Sequence, residues 1–136
     1  MRLTAAIAAA PFASAAACAP PASPQANGGQ PSPAQLALGE RLFRQCYACH
    51  AMEPGANTPA GPTLHRIVGS AVAAEAGFNY SPALRRFARQ QPLWTPDLLD
   101  RFLADPAAVV PGTEMGYPGL DDPAQRRALI AWLAAR

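Results

Sequence analysis

Residues Cys46-Tyr47-Ala48-Cys49-His50 spell C-x-x-C-H, and no other feature constrains the fold of this chain as strongly. Two thiols at this spacing reach the two vinyl groups of one porphyrin and form thioethers, and the adjoining imidazole comes under the iron. A small chain that carries one haem c has to enclose it, so the remaining elements should wrap a flat apolar body. Two other chemistries compete for the motif. A closed zinc site needs four ligands, and beside Cys46, Cys49 and His50 only His65 remains in the folded region. A thioredoxin-like dithiol belongs beside βαβ structure, of which the sequence carries no trace.

Sixteen prolines look hostile to helices until their positions are read. Ser32-Pro33, Ser81-Pro82, Thr95-Pro96, Asp105-Pro106 and Asp122-Pro123 each pair a helix-capping side chain with proline at the first helical position. Ser32-x-x-Gln35 and Asp122-x-x-Gln125 extend two of these pairs into capping boxes. The spacing predicts helices near 33–46, 82–89, 96–103, 106–110 and 123–135, with no strand-like alternation between them. The first helix presents Leu36, Leu38, Leu42 and Phe43, and the last presents Leu129, Ile130, Trp132 and Leu133. Both stripes read as a helix–helix core. Segments 51–63 and 111–121 are rich in Gly and Pro and read as loops; so much loop in so small a chain suggests wrapping.

Residues 1–17 carry one arginine, an Ala-rich apolar run and then small residues, the pattern of an export signal. The run is too short to span a membrane as a mature helix. Two cleavage readings stand open: cutting near Ala15-Ala16-Ala17 to leave a soluble protein, or a lipobox that makes Cys18 a lipid-modified N-terminus. An odd thiol in an exported chain leans slightly toward the second; in the first, Cys18 is discarded with the signal. Residues 18–33 are Ala, Pro, Ser, Gln, Asn and Gly around Cys18, a disordered linker, and residues 34–136 form the folded domain. Net charge is only +2 and no polybasic run is present, so nucleic acid is not an expected partner.

Haem attachment leaves the sixth iron position open. His50 should ligate through Nε2, with Nδ1–H fixed by an acceptor. Met52 follows His50 too closely to cross the ring. Met115 stands in a Pro/Gly loop far along the chain, and His65 is its rival.

From about Gly39 to Ala135 the chain resembles a class I c-type cytochrome of the mitochondrial and related bacterial type. Gly39 and Phe43 match its first helix, and Cys46, Cys49 and His50 its haem site. Pro62, in Gly61-Pro62-Thr63-Leu64-His65, matches the proline whose carbonyl accepts the ligand histidine's N–H. Tyr80 and Trp94 match residues that hydrogen-bond a haem propionate. Pro111-Gly112-Thr113-Glu114-Met115 matches the methionine-ligand loop, which implies Met115 rather than His65 as the distal ligand. Leu64, Phe102, Thr113 and Tyr117 are further haem contacts by the same resemblance.

The resemblance implies an all-α fold with short helices around one covalent haem and the terminal helices crossing. It also implies an exported, monomeric, non-enzymatic carrier of single electrons between membrane or periplasmic redox enzymes, soluble in the periplasm or tethered through Cys18. Its alternatives are a haem enzyme or ligand sensor of peroxidase type, and an electron-entry module of a larger oxidase. The chain departs from the family at Phe102, where many relatives have tyrosine, and at Ser70, where they often have arginine near the propionates. Ser70 implies less compensated carboxylates and a lower potential. Relatives ring the haem edge with lysines. Here all eleven positive residues are arginine, and the corresponding rim positions are Gln45, Pro59, Ala107, Glu114, Asp121 and Asp122. Arg85, Arg86 and Arg89 lie on a solvated helix face.

Overall fold

The computed structural model describes residues 29–136. The export signal, Cys18 and most of the linker lie outside the described residues. Five helices follow in chain order: α1 (Pro33–Phe43), α2 (Pro82–Ala88), α3 (Pro96–Ala104), α4 (Pro106–Val109) and α5 (Pro123–Ala134).

Each helix starts at its proline, and the residue before it caps the first turn. Ser32 Oγ accepts from the Gln35 N–H at 3.2 Å, Ser81 Oγ from Leu84 at 3.2 Å and Thr95 Oγ1 from Leu98 at 3.1 Å. Asp105 Oδ1 accepts from Ala108 at 2.9 Å and Asp122 Oδ1 from Ala124 at 2.7 Å. Proline costs these helices nothing because its missing N–H has no intrahelical acceptor in the first turn.

The first helix is shorter than its pattern predicts. It stops at Phe43, and Cys46–Ala48 tighten into a 3-10 turn. The Cys49 and His50 N–H groups both donate to Cys46 O, at 3.0 and 2.8 Å. Side chains at i and i+3 eclipse in such a turn, so Cys46 and Cys49 come to one side.

α1 crosses α5 at Gly39. A Cβ there would fall on the Ala128 carbonyl oxygen and come to 2.5 Å from Trp132 Cβ. Gly39 and Phe43, four residues apart on one face, are buried in the seam. Phe43 stacks on Trp132 at 4.7 Å between ring centroids. Leu36 and Leu42 pack at its margin. Leu38, expected in the stripe, stays half-buried and outside the core cluster. It lies about 100° around the helix from Gly39, the contact point that sets the orientation of α1. From α5 the seam takes Ala128, Leu129, Ile130, Trp132 and Leu133, and α3 closes the core with Leu98, Leu99, Phe102 and Leu103.

The Gly39→Ala variant tests this crossing. Helix propensity favours alanine by about 1 kcal/mol, but the new methyl meets backbone and a Cβ that cannot swing away. Overpacking costs of about 1–3 kcal/mol win. We expect a net loss of about 1 kcal/mol, read as a melting temperature lower by roughly 5 °C. A variant as stable as the parent would contradict the close crossing.

No strand forms among the described residues. An isolated antiparallel bridge joins Ala71 and Leu93. Around it Gly69 N–H donates to Trp94 O and Trp94 N–H to Ser70 O, both at 2.8 Å. These bonds hold the buried Trp94 in place despite its position outside any helix.

Candidate haem site

Helices α2, α3 and α5, the 3-10 turn and both Gly/Pro loops surround a cavity of about 960 Å³. All eleven residues singled out from the sequence line it: Cys46, Cys49, His50, Pro62, Leu64, Tyr80, Trp94, Phe102, Thr113, Met115 and Tyr117. His65 and Met52 do not. His65 donates its N–H to Thr63 Oγ1 at 3.1 Å, and Met52 packs against the core.

On the cysteine side, His50 Nδ1 lies 2.7 Å from Pro62 O. A carbonyl can only accept, so Nδ1 carries the proton and Nε2 keeps its lone pair for the cavity. Burial holds the His50 pKa below the ordinary histidine range, partly opposed by the Pro62 carbonyl. The ring is therefore neutral at pH 7, as a metal ligand must be.

Gly61 makes this approach possible. A Cβ on it would sit 2.6 Å from His50 Cε1 and 2.7 Å from Nδ1. Thr58 fastens the same loop: its hydroxyl donates to Cys49 O at 2.5 Å and accepts from the Ala60 and Gly61 N–H groups. Asn57 bridges onward, accepting from Thr63 N–H at 3.0 Å and donating to Ala76 O at 2.7 Å. Sequence reasoning missed Thr58, Asn57 and the steric role of Gly61. Their only signal is membership of a Gly/Pro-rich loop.

The competing chemistries for the cysteines fare badly. Among the described residues no group of three or more His, Cys, Asp or Glu side chains is placed to hold a metal ion. Burial, and then neighbouring Cys49, push the Cys46 thiol up to about 11. A reactive dithiol needs the opposite shift.

Across the cavity the 111–121 loop supplies Thr113, Met115 and Tyr117. Thr113 Oγ1 accepts from the Met115 N–H at 3.2 Å. The far end of the loop is fixed where Leu120 N–H donates to Leu103 O at 2.8 Å. There Arg126 Nη1 also donates to Leu120 O at 2.7 Å and Asp121 O at 2.8 Å, while its Nε pairs with Asp100 Oδ1 at 2.9 Å. At the mouth, Gln45 Nε2 donates to the Tyr117 hydroxyl at 3.2 Å, tying the cysteine turn to the methionine loop.

The walls are apolar. Phe102 and Trp94, with ring centroids 5.0 Å apart, stand with Ile67, Leu84, Leu99 and Leu133 around the interior. Away from the cysteine side, polar lining gathers at Asn79, Tyr80, Ser81, Thr113 and Glu114. The Tyr80 hydroxyl accepts from Glu75 N–H at 3.2 Å, so its own proton stays free to donate. Burial raises the Tyr80 pKa and keeps that proton in place. Ser70 does not line the cavity; its hydroxyl donates to Ile67 O at 2.8 Å.

The donor set fits a c-type haem: two thiols on one turn, a neutral imidazole oriented by a carbonyl, a thioether on the opposing loop, and apolar walls between. Of the rim positions, Gln45, Pro59 and Glu114 line the cavity, while Ala107, Asp121 and Asp122 are exposed outside it.

No protein-family model matches the chain. Individual proteins do. Cytochrome c2 of Rhodomicrobium vannielii is 41% identical over 98 residues, covering 72% of this chain and 76% of the relative. Cytochrome c2 of Rhodopila globiformis is 40% identical over 106 residues, covering 77% and 96%. The solved structure of cytochrome cH from Methylobacterium extorquens superposes with a TM-score of 0.67 at 37% identity, covering 74% of this chain and 98% of that one. Sequence, fold and cavity agree, and the chain belongs to the class I c-type cytochromes, single-electron carriers with one covalently attached haem c.

Proposed function

We propose that Cys46 and Cys49 would hold the haem through thioether bonds and that His50 and Met115 would supply the donors to its iron. The observation that carries this reading is the 2.7 Å contact of His50 Nδ1 with Pro62 O, which turns Nε2 toward the cavity that Met115 lines from the other loop. The haem, when bound, supplies one-electron storage at its iron. The chain does the rest. Pro62 fixes the His50 tautomer, and Met115 offers a soft neutral donor that favours the reduced metal. Phe102, Trp94 and the leucine walls keep water out. With His50 and Met115 both offered to the iron, the bound group would have no position open to small molecules and would exchange electrons only. Tyr80 and Trp94 donate to the haem carboxylates, and Leu64, Thr113 and Tyr117 complete the contacts.

The protein works outside the cytoplasm as a monomer, exchanging electrons with membrane or periplasmic redox enzymes. None of the described helices is long and apolar enough to cross a membrane. Cys18, at the end of the signal, is the site at which a lipid anchor would hold the domain on its linker near its partners. Intact-mass measurement of the protein recovered from its host tests both halves. The expected result is one covalent haem on the peptide containing Cys46 and Cys49, with acyl chains on an N-terminal Cys18. A haem mass lost on mild denaturation would sink the attachment, and a mature chain beginning after Cys18 would sink the anchor.

The rim bears on docking. Basic rims steer acidic partners over long range and lose rate steeply as salt screens them. With Glu114, Asp121 and Asp122 at the rim positions and no lysine, the second-order rate with a redox partner is expected to fall little, or to rise, as ionic strength increases. Stopped-flow mixing over a salt series checks this; a steep decline would count against it.

A further inference from the structure

The attached haem brings two carboxylates into a domain whose cavity lining holds no arginine and, with Glu114, a charge of the wrong sign. Haem carries its carboxylates on the edge opposite the vinyl groups, so fixing one edge at Cys46 and Cys49 sends them to the far end. Outside the cysteine turn and the 58–62 loop, the polar lining that would receive them is Asn79, Tyr80 and Ser81 from one segment and Thr113 and Glu114 from the other. Carboxylates placed there need a counter-charge or a costly desolvation. Position 70 does not provide one, being serine and outside the lining.

A side pocket of about 320 Å³ adjoins this end, sharing Asn79, Tyr80, Ser81 and Glu114 with the main cavity. Arg85 of α2 also lines it and is the one cation among the residues lining either space. Its guanidinium is held in place: Nε donates to Tyr80 O at 3.0 Å and Nη2 to Asn79 Oδ1 at 2.7 Å. Two of its five N–H groups are used, and three remain. Arg85, Arg86 on the same short helix and Arg89 at its C-cap are all exposed, but Arg86 and Arg89 line neither space. Arg89 Nη1 only reaches Arg85 O at 3.5 Å.

We propose that Arg85 is the counter-charge for the haem carboxylates, supplying from α2 the positive charge that Ser70 lacks. The proposal rests on the haem reading above. Arg85 acts through position and charge. A fixed cation near the haem favours the reduced state, which carries one positive charge less, so removing it lowers the potential.

Redox titration of the holoprotein tests this. In Arg85→Gln the oxidised-to-reduced ratio at a set potential should rise about threefold, ~28 mV at about 59 mV per tenfold for one electron. The potential should also become more pH-dependent at mildly acidic pH as the less compensated carboxylates take up protons. Glu114, Tyr80 and Glu75 face the same region and remain in the variant. Arg86→Gln, which changes net charge equally, should match the parent. Equal shifts in both variants, or none in Arg85→Gln, would overturn the proposal. If Arg85→Gln does not accumulate, Arg85→Met, which keeps the apolar stem and removes the charge, decides instead: the ratio should rise about threefold, and an unchanged ratio would overturn the proposal. A normal holoprotein spectrum without the shift refutes this proposal alone, whereas a protein lacking haem refutes the reading beneath it.

Discussion

The double variant Cys46→Ser/Cys49→Ser is expected to lose its helical fold, seen as collapse of the far-ultraviolet circular dichroism of the purified chain. The reason lies in the core. The side chains that α3 and α5 turn inward face a cavity of about 960 Å³ as well as each other. A space of that size left without its occupant exposes the apolar walls that would otherwise be buried, a loss that competes with the roughly 5–15 kcal/mol of stability of a whole domain. Without a covalently retained haem the helices have too little to pack on, and small chains have little core to spare. A double variant that keeps parental ellipticity and melts cooperatively would show that the polypeptide core suffices alone.

Met115→Ala should leave the fold and the haem in place but change the metal's behaviour. The 111–121 loop is tied at both roots, by the Thr113 N–H bond to Val110 O at one and by Arg126 and the Leu120–Leu103 bond at the other. The loop therefore stays near the cavity when the thioether is removed. The sixth position then opens to water or added ligands. Axial ligands set haem potentials over roughly 0.8 V, so loss of the thioether should lower the midpoint by on the order of 0.2 V. Carbon monoxide should bind the reduced variant rapidly. A variant with parental midpoint and no ligand binding would remove Met115 from the metal and reopen the choice of donor.

Much of this protein is legible in its sequence because local chemistry dictates it. The five helix starts follow from capping side chains and proline, which act within one turn and need no tertiary context. Of the eleven cavity residues, Cys46, Cys49 and His50 follow from the C-x-x-C-H motif, and the others from the resemblance to class I c-type cytochromes. Other features depend on contacts between segments distant in sequence. Leu38 fits the apolar stripe of α1 yet stays out of the core, because Gly39 lets α5 approach along a different line. Helix α1 ends three residues early, its last turn tightening where Arg44 N–H bonds Arg41 O, before the turn that aligns the two thiols. Thr58 and Gly61 look like ordinary loop residues until Cys49 O and the His50 ring are placed beside them. Arg85 reads as part of a solvated cluster, and only its bonds to Tyr80 and Asn79 separate it from Arg86 and Arg89.

The central claim is that His50 and Met115 close both faces of the iron and limit the site to electron exchange. The most direct test is the absorption spectrum of the purified holoprotein, oxidised and then reduced under carbon monoxide. The expected result is a low-spin oxidised form with the long-wavelength band of methionine-to-ferric-iron charge transfer, and a reduced spectrum that carbon monoxide leaves unchanged. A high-spin oxidised form, or rapid carbon monoxide binding by the untreated protein, would contradict the account.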